Sequence, residues 1–326
     1  MTLVCTEWAD RAAWNAFVWA SPQGSVFCHT DFLDALGCPY RLYRVTKGDA
    51  VVAAVPVLLD ADGVRPQCAP HPFTLYQGPM FAASVAAMPI HSRYPMQSTI
   101  LEFLIESLVQ QLGRVSFCLH HSLVDIRQFV WYRYHQPASE RFAVHVRHTG
   151  LIDLRAYRDF EAYLESVRPV RRREYRKAVA SGLAVQVGTV ADVGMFTELF
   201  VKTFGRQEIT LPAEELRWFQ RIAAMALQTG MGELLFCVQS DGQPICGTLF
   251  LYDPRCSYYL LSGTDTEFRK SAANTMLLFE NVQRAQQRGL SWVDCIGVNS
   301  PWRGDFKIGF NAAPTPYYVV TWPPSA

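Results

Sequence analysis

The sequence predicts an α/β protein built as two mixed-sheet domains packed together. Strand-forming and helix-forming segments alternate along the whole chain. The order hairpin, third strand, helix, strand occurs twice, at roughly residues 40–119 and 234–296, sharing element order rather than residue identity. Half of the 326 residues are hydrophobic, enough for a sizeable core in each half. Strand–helix–strand units at this spacing imply right-handed crossovers, and the chain divides into domains at 1–150 and 151–326.

In the first half, residues 8–19 read as a helix with Ala13, Phe17 and Val18 on its apolar side. A second helix follows at about 30–36, with Thr30 as its N-cap. Residues 40–46 and 50–59 are strands around the turn Lys47-Gly48-Asp49, and 73–81 is a third extended run. A helix over 98–112 repeats Ile100, Phe103, Leu104, Leu108 and Leu112 on one face, and a strand at 115–119 follows. An aromatic connection at 129–134 leads to strands at 142–146 and 150–154.

The second half opens with helices at 158–166 and from about Val170 to Ala180, the latter placed after Pro169 and ended by Ser181-Gly182. A strand at 185–188 and helices at 193–203 and 213–229 come next. Residues 234–239 and 245–251 form a hairpin around Asp241-Gly242, followed by a strand at 257–262. A helix at 274–288 is stopped by Gly289, and strands at 292–296 and 316–322 close the chain.

The formal net charge is +1, and cationic and anionic residues balance within each half. That excludes a broad nucleic-acid surface and leaves room for a local basic patch. The N-terminus carries no secretory pattern, and the apolar stretch at 50–59, with Pro56 inside it, is too short to span a membrane. The expectation is a cytoplasmic chain with no membrane span. Nine cysteines without a CxxC pair read as small buried hydrophobes in a reducing compartment. His120 and His121 are neighbours on a strand end and face opposite ways, and Cys118 with His120 gives only two ligands, so no metal site is expected. No GxSxG nucleophile elbow occurs.

The stretch Asp305-Phe306-Lys307-Ile308-Gly309-Phe310-Asn311 sets a lysine between bulky apolar groups, on a strand or turn. A fixed ammonium near a reacting carbonyl stabilises the oxyanion of a tetrahedral intermediate. Residues 168–177 hold a run of cations in which Arg172 and Arg176 share one helix face, and Arg173 and Lys177 another. Such a run either grips phosphates or is a solvated face paired with Glu174. Of the aromatics Trp131, Tyr132, Tyr134, Trp218, Tyr258 and Tyr259, the adjacent tyrosines stand out, because a strand turns only one of them inward. Its hydroxyl could orient an amine or relay its proton.

Tyr258-Tyr259 followed by Gly263, Phe268-Arg269, Leu277-Leu278, Arg288-Gly289-Leu290, Asp294 and Phe306-Lys307-x-Gly309-Phe310 resemble the C-terminal part of the FemAB/FemX-like acyltransferases of the GNAT superfamily. Arg173-x-x-Arg176-Lys177-Ala178, Tyr76-Gln77-Gly78-Pro79 and Asp125-x-Arg127-x-Phe129-x-Trp131 extend the resemblance upstream. The resemblance implies two GNAT-like domains, with the acyl-transfer site in the second and the donor between splayed strands at 257–263 and 292–296. It implies catalytic roles for Lys307 and Tyr259, and substrate contacts from Phe306, Tyr258, Arg173, Arg176 and Tyr76. Donor contacts would come from Arg269, Lys270, Ser271 and Asn274. In that loop glycine is missing, and alanine is costly where a positive φ is needed. The donor expected is therefore an aminoacyl-tRNA, held by its acceptor end, or another carrier rather than free acetyl-CoA; acyl-CoA is the alternative co-substrate. No permanently bound cofactor is implied. The implied activity is amide formation on an amine acceptor of cell-wall, polysaccharide or natural-product type. The alternatives are an acyl-CoA-dependent N-acyltransferase on a small metabolite or sugar, and a non-catalytic binding protein derived from this fold.

Overall fold

The computed structural model describes residues 2–205 and 209–324. Its chain divides into one unit of residues 1–147 with 316–326, and a second of 148–315. The sequence assigned all of 151–326 to one domain; the last strand instead joins the first unit, because its hydrogen-bonding partner lies there.

The first unit begins with β1 (Leu3–Glu7), a strand the sequence did not reveal because three of its five residues are exposed. Helix α1 (Arg11–Ala20) is capped by Asp10, whose carboxylate accepts the Ala13 N–H at 3.0 Å. In α2 (Thr30–Leu36) the N-cap is His29 rather than the expected Thr30, which is already helical. Strands β2 (Tyr40–Lys47) and β3 (Ala50–Leu58) form the expected hairpin. Of the extended run at 73–81, only β4 (Met80–Phe81) pairs. The first sheet has the order β1-β2-β3-β4, antiparallel throughout. After α3 (Ala83–Ala86), α4 (Ile90–Leu112) starts eight residues before the expected 98 and carries Pro95 inside it. The missing N–H is tolerated because the following turns bury Ile100, Leu104, Ile105 and Leu108 against β3 and its neighbours. Strand β5 (Val115–Cys118) and α5 (Arg127–Trp131), a short helix in place of an open connection, lead to β6 (Ala143–Asp153). The two strands expected at 142–146 and 150–154 are one.

The second unit continues through α6 (Phe160–Ser166), α7 (Pro169–Ala180), β7 (Ala184–Val187), α8 (Val193–Gly205) and α9 (Ala213–Thr229). Pro169 occupies the first helical position of α7, where its lack of an N–H costs nothing. Then come β8 (Gly232–Val238), β9 (Pro244–Tyr252), β10 (Cys256–Thr264), α10 (Ala273–Gln287), β11 (Trp292–Asp294) and α11 (Pro301–Ile308). The last strand, β12 (Ala313–Trp322), pairs antiparallel with β5 through Val319–Trp322.

The sheet of this unit runs β6-β11-β10-β9-β8-β7. Every pairing in it is antiparallel except β10 with β11, which α10 joins as a crossover. Leu277, Leu278, Phe279 and Val282 of α10 pack in one core with Phe250, Tyr259 and Val293 of the sheet, and with Tyr163, Leu164 and Ala178 of α6 and α7. On another side of β10, the backbone of α8 lies directly over Gly263. A Cβ at 263 would fall 2.4 Å from the Phe200 nitrogen and 2.6 Å from the Leu199 carbonyl carbon. Gly263→Ala must therefore push α8 off the sheet, at a cost of about 2–3 kcal/mol. Urea denaturation of the variant should show that loss, and an unchanged midpoint would refute the contact.

Candidate acyl-transfer site

The site follows from how briefly β10 and β11 pair. Their parallel register covers Cys256↔Trp292, Ser257↔Val293 and Tyr258↔Asp294 and then stops. Beyond Tyr258, β10 runs on to Thr264 with β9 as partner, through an irregularity between Tyr259 and Leu261. The edge of β10 that faced β11 is thus left without strand partners, and its backbone groups are available to a ligand. Asp294, the last residue of β11, is fully buried; it accepts hydrogen bonds from the Thr149 hydroxyl and from the Ile296 N–H at 2.7 Å. The chain then turns through two positive-φ residues, Ile296 at 50° and Gly297 at 38°. Asn299 ties the turn to β6, exchanging hydrogen bonds of 2.8 and 2.9 Å with the His148 backbone.

Lys307 reaches this turn from the last turn of α11, a helix where the sequence suggested a strand or turn. Its Nζ donates to the carbonyls of Ile296 and Gly297, the latter at 3.2 Å, and lies 5.5 Å from the centre of the Tyr259 ring. Two carbonyls occupy two of the three ammonium protons and leave one for another acceptor. Burial pulls the Lys307 pKa below its ordinary value, while Cys295 and Asp294 act the other way. The helix carrying the lysine is held firmly. Arg168 Nη1 pairs with Asp305 at 2.7 Å, the Arg168 N–H meets the Gly309 carbonyl at 3.1 Å, and the Tyr163 hydroxyl donates to the Phe310 carbonyl at 2.9 Å. Phe306 meets Phe310 edge to face, with ring centres 5.1 Å apart, and packs among protein groups.

Of the tyrosine pair, Tyr259 is the one turned toward this side. Its hydroxyl donates to Asn274 Oδ1 at 2.7 Å, and the Ser262 hydroxyl donates to the same oxygen at 3.0 Å. Burial raises the Tyr259 pKa far above that of a free tyrosine, so the phenol stays neutral. Tyr258 points to the opposite face. It is buried, with its hydroxyl donating to Asp253 Oδ2 at 2.6 Å, so it has no open face for a substrate.

Asn274 belongs to the first turn of α10, whose N-cap is Ala272 at φ 64° and ψ 18°. Alanine thus adopts the left-handed turn that the sequence reading took to need glycine. The Ser271 hydroxyl accepts the Ala273 N–H at 3.3 Å, and Arg269 and Lys270 are exposed just before it. The basic helix α7 is largely paired: Arg172 and Arg176 both bind Glu165, Arg176 at 2.7 Å, and Arg171 binds Glu174 at 2.6 Å. Arg173 and Lys177 are exposed and make no ion pair among the described residues. Tyr76 lies in the first unit, buried at φ 55°, with its ring 4.5 Å from His120 and 5.8 Å from Tyr317. The sequence reading missed Thr149, Asn299 and the Ile296–Gly297 turn; the positive φ at Ile296 carries no sequence signal.

Among the described residues no three His, Cys, Asp or Glu side chains could share a metal ion, and six of the nine cysteines are buried. No helix among them is long and apolar enough to cross a membrane.

A parted parallel strand pair, a crossover helix with a left-handed N-cap and a lysine at the opening make up the candidate site. Residues 165–304 match the model of the Acetyltransferase (GNAT) domain, and the chain as a whole has a double GNAT fold. It is similar to a crystal structure of FemX, with a TM-score of 0.69 at 14% identity, over 98% of this chain and 97% of that one. The structure of L-PGS from Bacillus licheniformis gives a TM-score of 0.56 at 10% identity, over 97% and 93%. A tandem GNAT protein from the clavulanic acid biosynthesis pathway gives 0.51 at 11% identity, over 100% of both chains. No curated protein matches by sequence.

The left-handed alanine makes a stability prediction. An L-residue there costs about 1–2 kcal/mol, offset in part by the extra unfolded-chain entropy of glycine. Ala272→Gly should therefore raise unfolding stability by about 0.5–1 kcal/mol; a drop in stability would show that residue 272 does not hold this turn in solution.

Proposed function

We propose that this protein is an N-acyltransferase that forms an amide bond on an amine acceptor, with Lys307 as its oxyanion-stabilising group. The observation that carries the reading is the buried ammonium of Lys307 at the point where β10 and β11 part, with one proton uncommitted. A donor carbonyl laid along the free edge of β10 can turn its oxygen toward that proton. The attacking amine forms the C–N bond, charge collects on the carbonyl oxygen, and the ammonium stabilises it more than it stabilises the neutral ester or thioester. Collapse breaks the bond to the leaving group, and the proton lost by the nitrogen passes to the departing thiolate or alkoxide. Tyr259, neutral and with its proton given to Asn274, offers lone pairs that can accept a hydrogen bond from the amine. Its role is to orient the nucleophile rather than to carry its proton away.

The donor in this reading is an acyl-CoA. The left-handed Ala272 gives α10 the backbone shape that a pyrophosphate needs at a helix N-terminus. Arg269 and Lys270 sit beside it, and Ser271 and Asn274 lie within the same turn. The pairing of Arg168, Arg171, Arg172 and Arg176 with carboxylates leaves few cations for the stem of a tRNA. An aminoacyl-tRNA acceptor end remains the competing donor, held through Arg173 and Lys177. The acceptor is an amine of cell-wall, polysaccharide or natural-product type, and cytoplasmic chemistry suits either donor. The tandem GNAT protein of clavulanic acid biosynthesis gives the natural-product class a precedent for this fold.

Lys307→Ala should leave the fold intact and lower turnover by about two to three orders of magnitude, the usual cost of one oxyanion donor. Turnover close to wild type in the folded variant would remove the catalytic assignment. The ammonium must be protonated to act, and its pKa lies below the ordinary 10.5. Turnover should accordingly fall on the alkaline side before pH 10.5 is reached, and Lys307→Arg, if active, should lose that limb. Calorimetric titration with acetyl-CoA, longer acyl-CoAs and an aminoacylated tRNA minihelix distinguishes the donors. Micromolar acyl-CoA binding that weakens in Lys270→Ala is expected; binding of the minihelix alone would overturn the CoA reading.

A further inference from the structure

One side chain links the two helices that serve the proposed reaction, touching one and reaching the other through a single carboxylate. Arg171 of α7 lays its guanidinium over the Phe306 ring at 4.7 Å and stands 5.8 Å from Phe310, the two aromatics that flank Lys307 in α11 and the turn after it. Through Nη1 it pairs with Glu174 at 2.6 Å, and the same carboxylate oxygen, Oε2, accepts the Thr275 hydroxyl at 2.9 Å. Thr275 is in the first turn of α10, next to Asn274, which holds the Tyr259 hydroxyl. The Arg171 side chain is 13% exposed, and its Nε is buried without a hydrogen bond, pressed beneath Gly309. A Cβ at 309 would lie 3.0 Å from that Nε and 3.1 Å from Arg171 Cγ. The glycine of the Phe306-Lys307-x-Gly309-Phe310 motif is therefore explained by the arginine packed against it. Its own φ is −60°, so no backbone constraint requires glycine.

We propose that Arg171 is the positioning residue for Lys307, and that it couples the seating of α11 to the first turn of α10, where the donor binds in the reading above. A planar guanidinium can stack on Phe306 while its edge pairs with Glu174; an ammonium cannot do both. The path is short and contiguous: Thr275 hydroxyl, Glu174 carboxylate, Arg171 guanidinium, Phe306 ring, and then Lys307 as the next residue in the helix. A shift of α10 on donor binding moves the carboxylate, and with it the guanidinium on which the lysine's helix rests. The proposal rests on the assignment of Lys307, but its coupling can be measured without any substrate.

The chain has five lysines, so protein grown with lysine labelled with 13C at Cε gives five signals, and Lys307→Arg assigns the one of interest. Thr275→Val removes one hydroxyl on α10 and leaves α11 untouched. It should displace the Lys307 signal, and the displacement should shrink at least threefold when Arg171→Met is also present. Arg171→Lys should behave like Arg171→Met, because charge alone does not restore the stack. Where Arg171→Met fails to fold, Glu174→Gln breaks the same path and should silence the Thr275→Val displacement equally. A Lys307 signal indifferent to Thr275→Val, or displaced to the same extent without the arginine, overturns the coupling. In turnover, Arg171→Lys should lower kcat about tenfold with donor affinity unchanged within twofold; a loss confined to donor affinity would also overturn it. Should Lys307→Ala keep full turnover while the signals stay coupled, the catalytic reading falls and the positioning contact stands.

Discussion

The site depends on one event in the sheet, the end of the parallel pairing of β10 and β11 after three residue pairs. Had the ladder continued, the edge of β10 beyond Tyr258 would be saturated and no ligand could lie along it. The pairing stops because β11 stops. Asp294 turns its carboxylate back to the Ile296 N–H and to Thr149, and the chain leaves the strand through two left-handed residues. Those residues present their carbonyls to Lys307, so the feature that opens the strands also sets the lysine. The interior cost of burying an ammonium is met by carbonyl dipoles rather than by a carboxylate partner. Its charge is therefore not cancelled, which is what an oxyanion donor needs.

Around that opening the protein fixes hydroxyls and charges by local pairing. Asn274 holds both Tyr259 and Ser262 through one oxygen. Glu174 serves Thr275 and Arg171 through one oxygen as well. Such shared acceptors make the first turn of α10 stiff in its side chains. Stiffness matters for acyl transfer because a donor group displaced by an ångström loses much of its effect.

Periodicity made most of the scaffold legible in the sequence. The hairpin β2–β3, helices α2 and α9 and the crossover β10–α10–β11 lie within a few residues of where apolar spacing and glycine stops put them. The errors have physical sources. Helix α4 begins eight residues before the expected 98, and the apolar face beyond Pro95 carries it through that proline. Strand β1 is mostly exposed and so lacks alternation. Lys307, expected on a strand or turn, lies in a helix; the spacing of Phe306, Ile308 and Phe310 fits one turn of helix followed by a cap. The lysine motif was visible as a motif, but what it touches was not. The partners Ile296 and Gly297 act through backbone carbonyls, which no residue type advertises. The left-handed Ala272 went the other way: the sequence argued against a conformation that the chain adopts.

The first unit closes on itself through β12, whose partner β5 lies some two hundred residues earlier, and the second unit is inserted between them. Ribosomes deliver residues in order, so the inserted unit is complete before the strand that finishes its host. During synthesis β5 must wait with an unpaired edge, an invitation to wrong pairing. The short length of β5, four residues in all, keeps that wait from becoming a template for aggregation. A chain arranged this way has its later-made unit ready first, and it cannot be divided into halves by a single cut.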